Sequence, residues 1–236
     1  MLYQIADLIV DIPAAGGMSP RCVDYLYSGD KTPDIVIHSE KYRPNLYSER
    51  LDYDGVAYLE SAYQFCWKLL KYQGFYLHAS AVELDGRAYL FSGNSGIGKS
   101  THTRLWQQSF GDAAQVFNDD KPALRRMDGT WYAYGTPWCG KDGINQNKKV
   151  PLAGICFLKQ GQSNRIRQLS HEEAITRIIP QTIRRFNKMH NLDLLLQHID
   201  KLVQEIPVFE LENKPELEAA SLSYQTMRTK AEEMGL

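Results

Sequence analysis

Apolar and polar positions along the chain predict short strands first and longer helices later. Residues 1 to about 55 contain two strand-like stretches, Tyr3–Val10 and Pro33–His38, separated by Gly and Pro residues that favour turns. Apolar residues at helical spacing then predict a helix over Leu59–Tyr72. The pattern therefore predicts a small strand-rich N-terminal segment, 1–55, packed on a larger domain, 56–236.

Strand and helix patterns alternate through the larger domain. Two Asp-Gly pairs, Asp85-Gly86 and Asp128-Gly129, each separate short apolar runs, which is typical of β-hairpins. This alternation predicts an α/β fold in which helices flank a mixed sheet. The further predicted strands are Phe75–Leu84, Arg87–Ser92, Gln115–Phe117, Ala123–Arg126, Thr130–Tyr134, Leu152–Leu158 and Val208–Leu211, and the further helices are Ser100–Phe110, Ser170–Pro180, Asn191–Gln204 and Glu216–Glu233.

Composition narrows the class of protein. Hydrophobic residues make up 43% of the 236, which is enough for a packed core, and the net charge of −1 gives no basic field for nucleic acid. We see no apolar stretch long enough to span a membrane and no secretory leader. The four cysteines form no C-x-x-C pair, which favours a reducing compartment over a zinc site or disulfides. We therefore expect a cytoplasmic protein that binds neither nucleic acid nor membrane.

A glycine-rich run fits the phosphate-binding pattern G-x-x-x-x-G-K-[ST] at every fixed position. Glycines let the backbone wind tightly, so that N–H groups point at phosphate oxygens, and the following helix adds the positive end of its dipole. Lys99 would reach the β- and γ-phosphates, and the Ser100 hydroxyl would bind Mg²⁺. The flanking strand and helix favour this interpretation over a glycine turn that binds nothing. The predicted nucleotide-binding residues are Gly93, Asn94, Ser95, Gly96, Ile97, Gly98, Lys99, Ser100 and Thr101.

Two further features would supply chemistry beside this loop. Asn118-Asp119-Asp120 ends an apolar strand about twenty residues after Lys99, where a Mg²⁺-binding carboxylate and a proton acceptor are expected. The alternative is an Asp-Asp pair that merely ends a strand in a turn. His78 lies within an apolar strand, and on that basis alone it is more typical of a satisfied buried polar group than of a catalytic residue.

Together these motifs resemble the bacterial HPr serine kinase/phosphorylase family, of which the chain would be a short, divergent member. The resemblance is carried by the segment from His78 to Val82, the glycine-rich loop and the aspartate pair, and it covers about residues 74–126. It implies a P-loop core like that of phosphoenolpyruvate carboxykinase. It also implies an ATP- and Mg²⁺-dependent kinase that transfers the γ-phosphoryl group to a hydroxyl of a protein, a peptide or a small molecule.

The resemblance also implies roles for single residues. Asp120 would accept the proton of the acceptor hydroxyl, and His78 would lie close to the transferred phosphoryl group. Lys99 would contact the β- and γ-phosphates, while Ser100 and Asp119 would bind the metal. The family places a glycine after the histidine, where this chain has Ala79, and we find no counterpart of its further glutamate metal ligand.

Other functions remain open at this stage. A carboxykinase-like enzyme, an ATPase switch and a nucleotide-binding regulatory module without turnover would share the loop. Arg184-Arg185 would be either a phosphate clamp or, more typically, a solvated basic patch. We expect His102 at the surface and Cys139 in a structural role. The acceptor, the nucleotide preference and the oligomeric state are not predicted beyond a possible homo-oligomer.

Overall fold

The computed structural model describes residues 1–13, 18–48, 51–182 and 189–236. The Arg184-Arg185 pair lies outside these described residues. Within them the structure has twelve strands and five α-helices, connected by turns and short 3-10 segments. The strands are β1 (Leu2–Ile5), β2 (Leu8–Asp11), β3 (Ile35–Val36), β4 (Gly74–Tyr76), β5 (Ala79–Leu84), β6 (Arg87–Ser92), β7 (Gln115–Asp120), β8 (Ala123–Met127), β9 (Thr130–Tyr134), β10 (Lys149–Gln160), β11 (Arg165–Gln168) and β12 (Val208–Asn213). The helices are α1 (Tyr53–Leu69), α2 (Lys99–Phe110), α3 (His171–Ile178), α4 (Met189–Glu205) and α5 (Leu217–Glu233).

Two sheets organise the chain. A small sheet has the order β1-β2-β3, and a nine-stranded mixed sheet has the order β4-β8-β9-β10-β6-β5-β7, with β12 on β10 and β11 on β12. The strands β6, β10 and β12 run parallel, whereas β5 pairs antiparallel with both β6 and β7. The two predicted Asp-Gly hairpins are present as β5–β6 and β8–β9. The predicted mixed α/β fold with a strand-rich N-terminal segment is thereby confirmed.

Helices cover the large sheet because its strands are apolar on both faces. Along β6, Leu90 belongs to one buried cluster, while Tyr89 and Phe91 belong to the other. The first cluster also contains residues of β1 to β3 and of α1, α3 and α4. The second contains residues of α2 and α5, with Trp106 packed against Tyr89 and Phe91. The glycine-rich loop between β6 and α2 therefore lies at the end of a strand that is anchored on both faces.

Several predicted boundaries differ from the structure. The predicted strand Phe75–Leu84 is two strands, β4 and β5, interrupted beside His78. Helix α1 begins at Tyr53, earlier than predicted, because the Asp52 side chain accepts a hydrogen bond from the Gly55 N–H at 2.8 Å and caps it. The sequence pattern missed β11, a mostly exposed strand without a strong apolar signal. The predicted strand Tyr3–Val10 is likewise two strands, β1 and β2, so these differences divide or add strands as well as move edges, and the predicted elements keep their order.

His102 was expected at the surface, and that prediction is wrong. Its side chain is buried beneath α5, where its Nε2 lies 3.1 Å from the Ser223 hydroxyl. The Phe91 ring packs against the imidazole at 4.4 Å. Helix periodicity failed here because a polar residue occupies the inward face of α2. In the described part of the chain, no helix is long and apolar enough to cross a membrane.

Candidate active site

The loop between β6 and α2 has the backbone geometry that its glycines predict. Gly93, Gly96 and Gly98 have φ angles of 140°, 81° and 108°, values that L-residues with a Cβ atom rarely adopt. Lys99 begins α2 and is buried, with its Nζ donating to the carbonyls of Gly93 at 3.0 Å and Asn94 at 3.3 Å. The ammonium group is thus folded back over the loop. A movement of the lysine side chain alone would exchange these carbonyl oxygens for the oxygens of a ligand.

The serine after this lysine touches the first aspartate of the predicted pair. The Ser100 hydroxyl donates to Oδ2 of Asp119 at 2.9 Å. Asp119 lies in β7, which is separated from β6 by β5, so the contact crosses one intervening strand. Strand β7 includes both aspartates and ends at Asp120.

Asp120 lies beside Asp119 in a strained backbone conformation. Its φ is +128°, which for a residue with a Cβ atom costs on the order of 1–3 kcal/mol. Its Oδ2 accepts a hydrogen bond from the Tyr58 hydroxyl at 2.8 Å and pairs with the Lys121 ammonium. Burial acts to raise the pKa of Asp120, but the Lys121 charge and the hydrogen bonds from Lys121 and Tyr58 outweigh it and hold this pKa below its usual value. Asp120 is therefore a carboxylate at neutral pH.

His78 faces the other oxygen of Asp120. Its Nε2 lies 3.5 Å from Asp120 Oδ1, while its Nδ1 lies 3.0 Å from Oε1 of Gln181. The Gln181 amide in turn donates to Oδ1 of Asn94, in the glycine-rich loop, at 3.1 Å. An amide oxygen only accepts, so this network assigns the proton to Nδ1 and leaves Nε2 as an acceptor.

The charge state of His78 agrees with this assignment. Burial first, and then the positive charge of Lys99, hold its pKa below the ordinary value, against the opposing effect of Asp120. The imidazole is therefore neutral at pH 7. Two hydrogen-bond acceptors, Nε2 of His78 and Oδ1 of Asp120, thus face the same space, and a hydroxyl group entering it would find a partner for its proton.

A loop between β9 and β10 supports the aspartates from behind. The backbones of Cys139 and Asp120 pair in an isolated antiparallel β-bridge, and the Gly140 N–H donates a hydrogen bond to the Asp119 carbonyl. A Cβ atom at Gly140 would lie 3.2 Å from that carbonyl oxygen, so a larger residue there would displace the Asp119 backbone by a few tenths of an ångström. Burial raises the pKa of the Cys139 thiol, which agrees with a structural role.

The N-terminal segment reaches this support as well. Arg21 donates from Nη1 to the Cys139 carbonyl at 2.7 Å and lies over the Tyr58 ring, 5.0 Å from its centroid. The Tyr58 hydroxyl oxygen also lies 3.1 Å from the Cys139 carbonyl oxygen, a second acceptor within reach of its one proton. Residues far apart in sequence thus converge on the backbone that positions Asp120.

Two cavities border the glycine-rich loop at different residues. The first, of about 460 Å³, contains Ser95 at the loop and His78, Asp120, Lys121 and Gln181 around the reactive groups. We call it the acceptor cavity. The second, of about 500 Å³, borders Gly96, Gly98 and Thr101 of the loop and extends to side-chain amides at Gln160, Gln162 and Asn213. We call it the amide cavity.

The structure brings the predicted site residues together. His78, the loop residues Gly93 to Thr101, Asp119 and Asp120 converge around the end of β6. Sequence reasoning missed Tyr58, Lys121 and Gln181. Lys121 directly follows the aspartate pair and could have been noticed. Tyr58 lies on α1 and Gln181 follows α3, and neither carries a local motif.

The residues present fit a magnesium ion shared with phosphate. Mg²⁺ is usually held by one or two carboxylates together with substrate phosphates and water. Ser100 and Asp119 provide a hydroxyl and a carboxylate in contact with each other beside the loop. Among the described residues there is no group of three or more His, Cys, Asp and Glu that could hold a metal by itself. The donor set therefore suits a metal that arrives with its phosphate ligand.

These features define a mixed α/β protein built around a strand, a glycine-rich loop and a helix. The chain belongs to the family described as SynChlorMet cassette protein ScmC, which matches residues 51–214. No curated protein matches the chain. Among solved structures, the Hpr(Ser) kinase/phosphatase from Coxiella burnetii is similar to it, with 13% identity and a TM-score of 0.38, over 68% of this chain and 92% of that chain. Values this low assign no activity, which has to be inferred from the site.

Proposed function

We propose that this protein is a kinase that transfers the γ-phosphoryl group of ATP to a hydroxyl group. The observation that carries the proposal is the pair of acceptors, His78 Nε2 and Asp120 Oδ1, facing a cavity that also reaches the glycine-rich loop. A module that only binds a nucleotide needs the loop and its lysine. It has no need for a second cavity that is lined by proton acceptors.

The nucleotide would lie across the loop. The backbone N–H groups of residues 93–101 and the N-terminus of α2 favour the phosphates, and Lys99 would leave the loop carbonyls for the β- and γ-phosphate oxygens. The amide cavity would take the nucleoside, because side-chain amides both donate and accept hydrogen bonds to base edges. This places the γ-phosphate toward the acceptor cavity.

The acceptor hydroxyl would bind between His78 and Asp120. Its oxygen attacks the γ-phosphorus, the bond from that phosphorus to the bridging oxygen of ADP breaks, and the hydroxyl proton passes to Asp120 Oδ1. Oδ2 is held by Tyr58 and Lys121, so Oδ1 is the oxygen that faces the substrate. His78 Nε2 orients the same proton. Lys121 stabilises the carboxylate before transfer, and the strained backbone at Asp120 keeps it aimed into the cavity.

Ser100 and Asp119 would hold magnesium. When bound, Mg²⁺ neutralises phosphate charge that the loop alone cannot offset. In the chain itself, the hydrogen bond between these two side chains keeps the hydroxyl and the carboxylate next to each other beside the loop. The same proposal includes two features that the motifs imply, a core like that of phosphoenolpyruvate carboxykinase and a relation to HPr kinases. It also includes a serine of a protein or peptide as the acceptor.

The experiment that tests the function is transfer of label from γ-labelled ATP with Mg²⁺, using wild type beside Asp120→Asn. Bacterial extract provides the first set of acceptors. Asp142→Asn is a matched control, because Asp142 is exposed and pairs with Arg104 at 2.6 Å away from the reactive pair. We expect labelled products that require Asp120 and do not require Asp142. Hydrolysis without any acceptor would instead make the protein an ATPase switch, and binding without turnover a regulatory module.

A further inference from the structure

A third cavity lies between α1 and residues 38–43, next to the acceptor cavity. It encloses about 640 Å³, and its floor includes Tyr42, Tyr63 and Trp67. Tyr63 lines both this cavity and the acceptor cavity, so the two spaces adjoin at that ring. The hydroxyl of Tyr47, which lines the acceptor cavity, also donates a hydrogen bond at 2.8 Å to Glu60, which lines the third cavity. We call this third cavity the basic groove.

Positive charge dominates the described residues of the groove. Its lining includes four cations, Lys41, Arg43, Lys68 and Lys71, against two carboxylates, Glu40 and Glu60. Glu40 already pairs with His38 at 2.9 Å, and Glu60 is buried. Arg43 lies over the Tyr63 ring, 5.7 Å from its centroid, so one cation stands at the junction with the acceptor cavity.

Two of the three lysines, Lys41 and Lys71, are close enough to the third, Lys68, to repel its charge. Burial, and then the charges of Lys41 and Lys71, lower the pKa of Lys68. Lys41 and Lys71 are exposed, and in the described part of the chain neither forms an ion pair. Converging like charges destabilise a surface unless an anion joins them. The groove therefore has the electrostatics of a site for a negatively charged partner.

We propose that the basic groove binds acidic residues of a polypeptide whose hydroxyl group is phosphorylated in the acceptor cavity. The inference rests on the proposed function, and it names the class of acceptor. From Leu59 in the acceptor cavity to Lys71 at the far end of the groove, the chain advances about 18 Å along the helix axis. An extended peptide covers that distance in about five or six residues.

A polypeptide fits this arrangement better than a compact metabolite. The aromatic floor of Tyr42, Tyr63 and Trp67 suits the apolar parts of a peptide, and the lysines at the rim suit its carboxylates. A small hydroxylated molecule would fill the acceptor cavity of about 460 Å³ and leave the groove without a use. The acidic residues are expected within about six positions of the phosphorylated residue.

The test uses fluorescent peptides that contain one serine. One set has four aspartates within six residues of the serine, on either side, and the matched set has four lysines there. Binding is measured by anisotropy on wild type, on Lys41→Glu/Lys71→Glu and on the control Lys31→Glu/Arg165→Glu, which changes the same net charge at exposed positions elsewhere. We expect wild type and the control to bind an acidic peptide about tenfold more tightly than the basic one, and added salt to weaken this preference. We expect the groove variant to lose or invert it.

Binding and label transfer together separate the two proposals. Equal binding of acidic and basic peptides, or an unchanged preference in the groove variant, would overturn the groove assignment even if label transfer occurs. Charge-dependent binding without transfer to any peptide or extract component would support the groove and overturn the kinase. The substituted lysines are exposed and lie away from the reactive pair, so ATP binding by the groove variant should equal that of wild type.

Discussion

Nδ1 of His78 and Oε1 of Gln181 lie 3.0 Å apart, and this contact joins the acceptor side of the site to the glycine-rich loop. The backbone reinforces it, because the His78 N–H donates to the Gln181 carbonyl at 2.8 Å. Gln181 is buried, and its amide nitrogen donates to Asn94 of the loop. One glutamine therefore sets the direction of the imidazole and the position of its proton.

We expect Gln181→Glu to raise the pKa of His78, because a carboxylate at Nδ1 favours the imidazolium form. In wild type this pKa lies below the ordinary value of histidine. Activity that needs neutral His78 should therefore fall only when the pH drops below the pKa of an unperturbed histidine. In the variant the loss should begin at higher pH. The ¹⁵N chemical shifts of the His78 ring, followed during a pH titration, report both the pKa and the tautomer without any turnover.

Gln225→Glu is the matched control for this substitution, since Gln225 is exposed on α5. It should leave the His78 titration unchanged. Gln181→Leu removes the acceptor and should convert part of the population to the tautomer protonated at Nε2. If His78 shows the same tautomer and the same pKa in all of these proteins, Gln181 does not position it.

Ser100→Ala should weaken binding of the magnesium form of the nucleotide. It removes the hydroxyl that would hold the metal together with Asp119, 2.9 Å away, and we expect a loss of roughly 10- to 100-fold in affinity. Calorimetric titration with ADP should show this loss with Mg²⁺ present and little change with EDTA. Ser100→Thr retains the hydroxyl and should behave as wild type. If the variant lost as much affinity for ADP without metal as with it, Ser100 would contact the phosphate and not the metal.

Asp120→Asn should lower the rate of phosphoryl transfer by about 10²- to 10⁴-fold, the usual contribution of a positioned proton acceptor. Nucleotide affinity should stay within a few-fold of wild type, because the contacts of Asp120 are with Tyr58, Lys121 and His78 rather than with the loop. Single-turnover transfer and equilibrium binding measure the two effects separately. Transfer at the wild-type rate would remove Asp120 from the role of base.

The buried imidazole of His102 should make stability depend on pH. Burial lowers the pKa of His102 to about 4, whereas the unfolded chain has the ordinary value near 6.5. Below pH 6.5 the unfolded state therefore binds a proton that the folded state does not. This stabilising contribution is fully present above about pH 6.5 and decreases as the pH falls toward 4, by an amount on the order of 3 kcal/mol.

Urea unfolding of wild type and His102→Gln between pH 4 and pH 7.5 tests this prediction. The slope of unfolding free energy against pH should be shallower in the variant. His171→Gln is the control, because His171 is exposed and pairs with Asp200 at 2.8 Å. Identical slopes for wild type and His102→Gln would mean that His102 is not buried as a neutral group.

Local patterns were enough to predict much of the candidate site. The glycine-rich loop, Lys99 and Ser100 form a contiguous motif, and the positive φ angles of Gly93, Gly96 and Gly98 in that loop follow from residue type. The Asp-Gly hairpins and the capping box of Ser170 and Glu173 were likewise predictable, because each depends on neighbours in sequence. The division at residue 55, the oligomeric state and a cytoplasmic location stay predictions.

Contacts between distant segments could not be predicted in this way. Tyr58 meets Asp120 across 62 positions of sequence, and Gln181 meets His78 across 103. His102 was misjudged for the same reason, since its burial depends on Ser223 of α5. Residue type and spacing encode turns, caps and a phosphate-binding loop because those are local backbone conformations. The orientation of His78, the ionisation of Asp120 and the charge of the groove arise only when the sheet and its helices pack, because they depend on side chains brought together from separate elements.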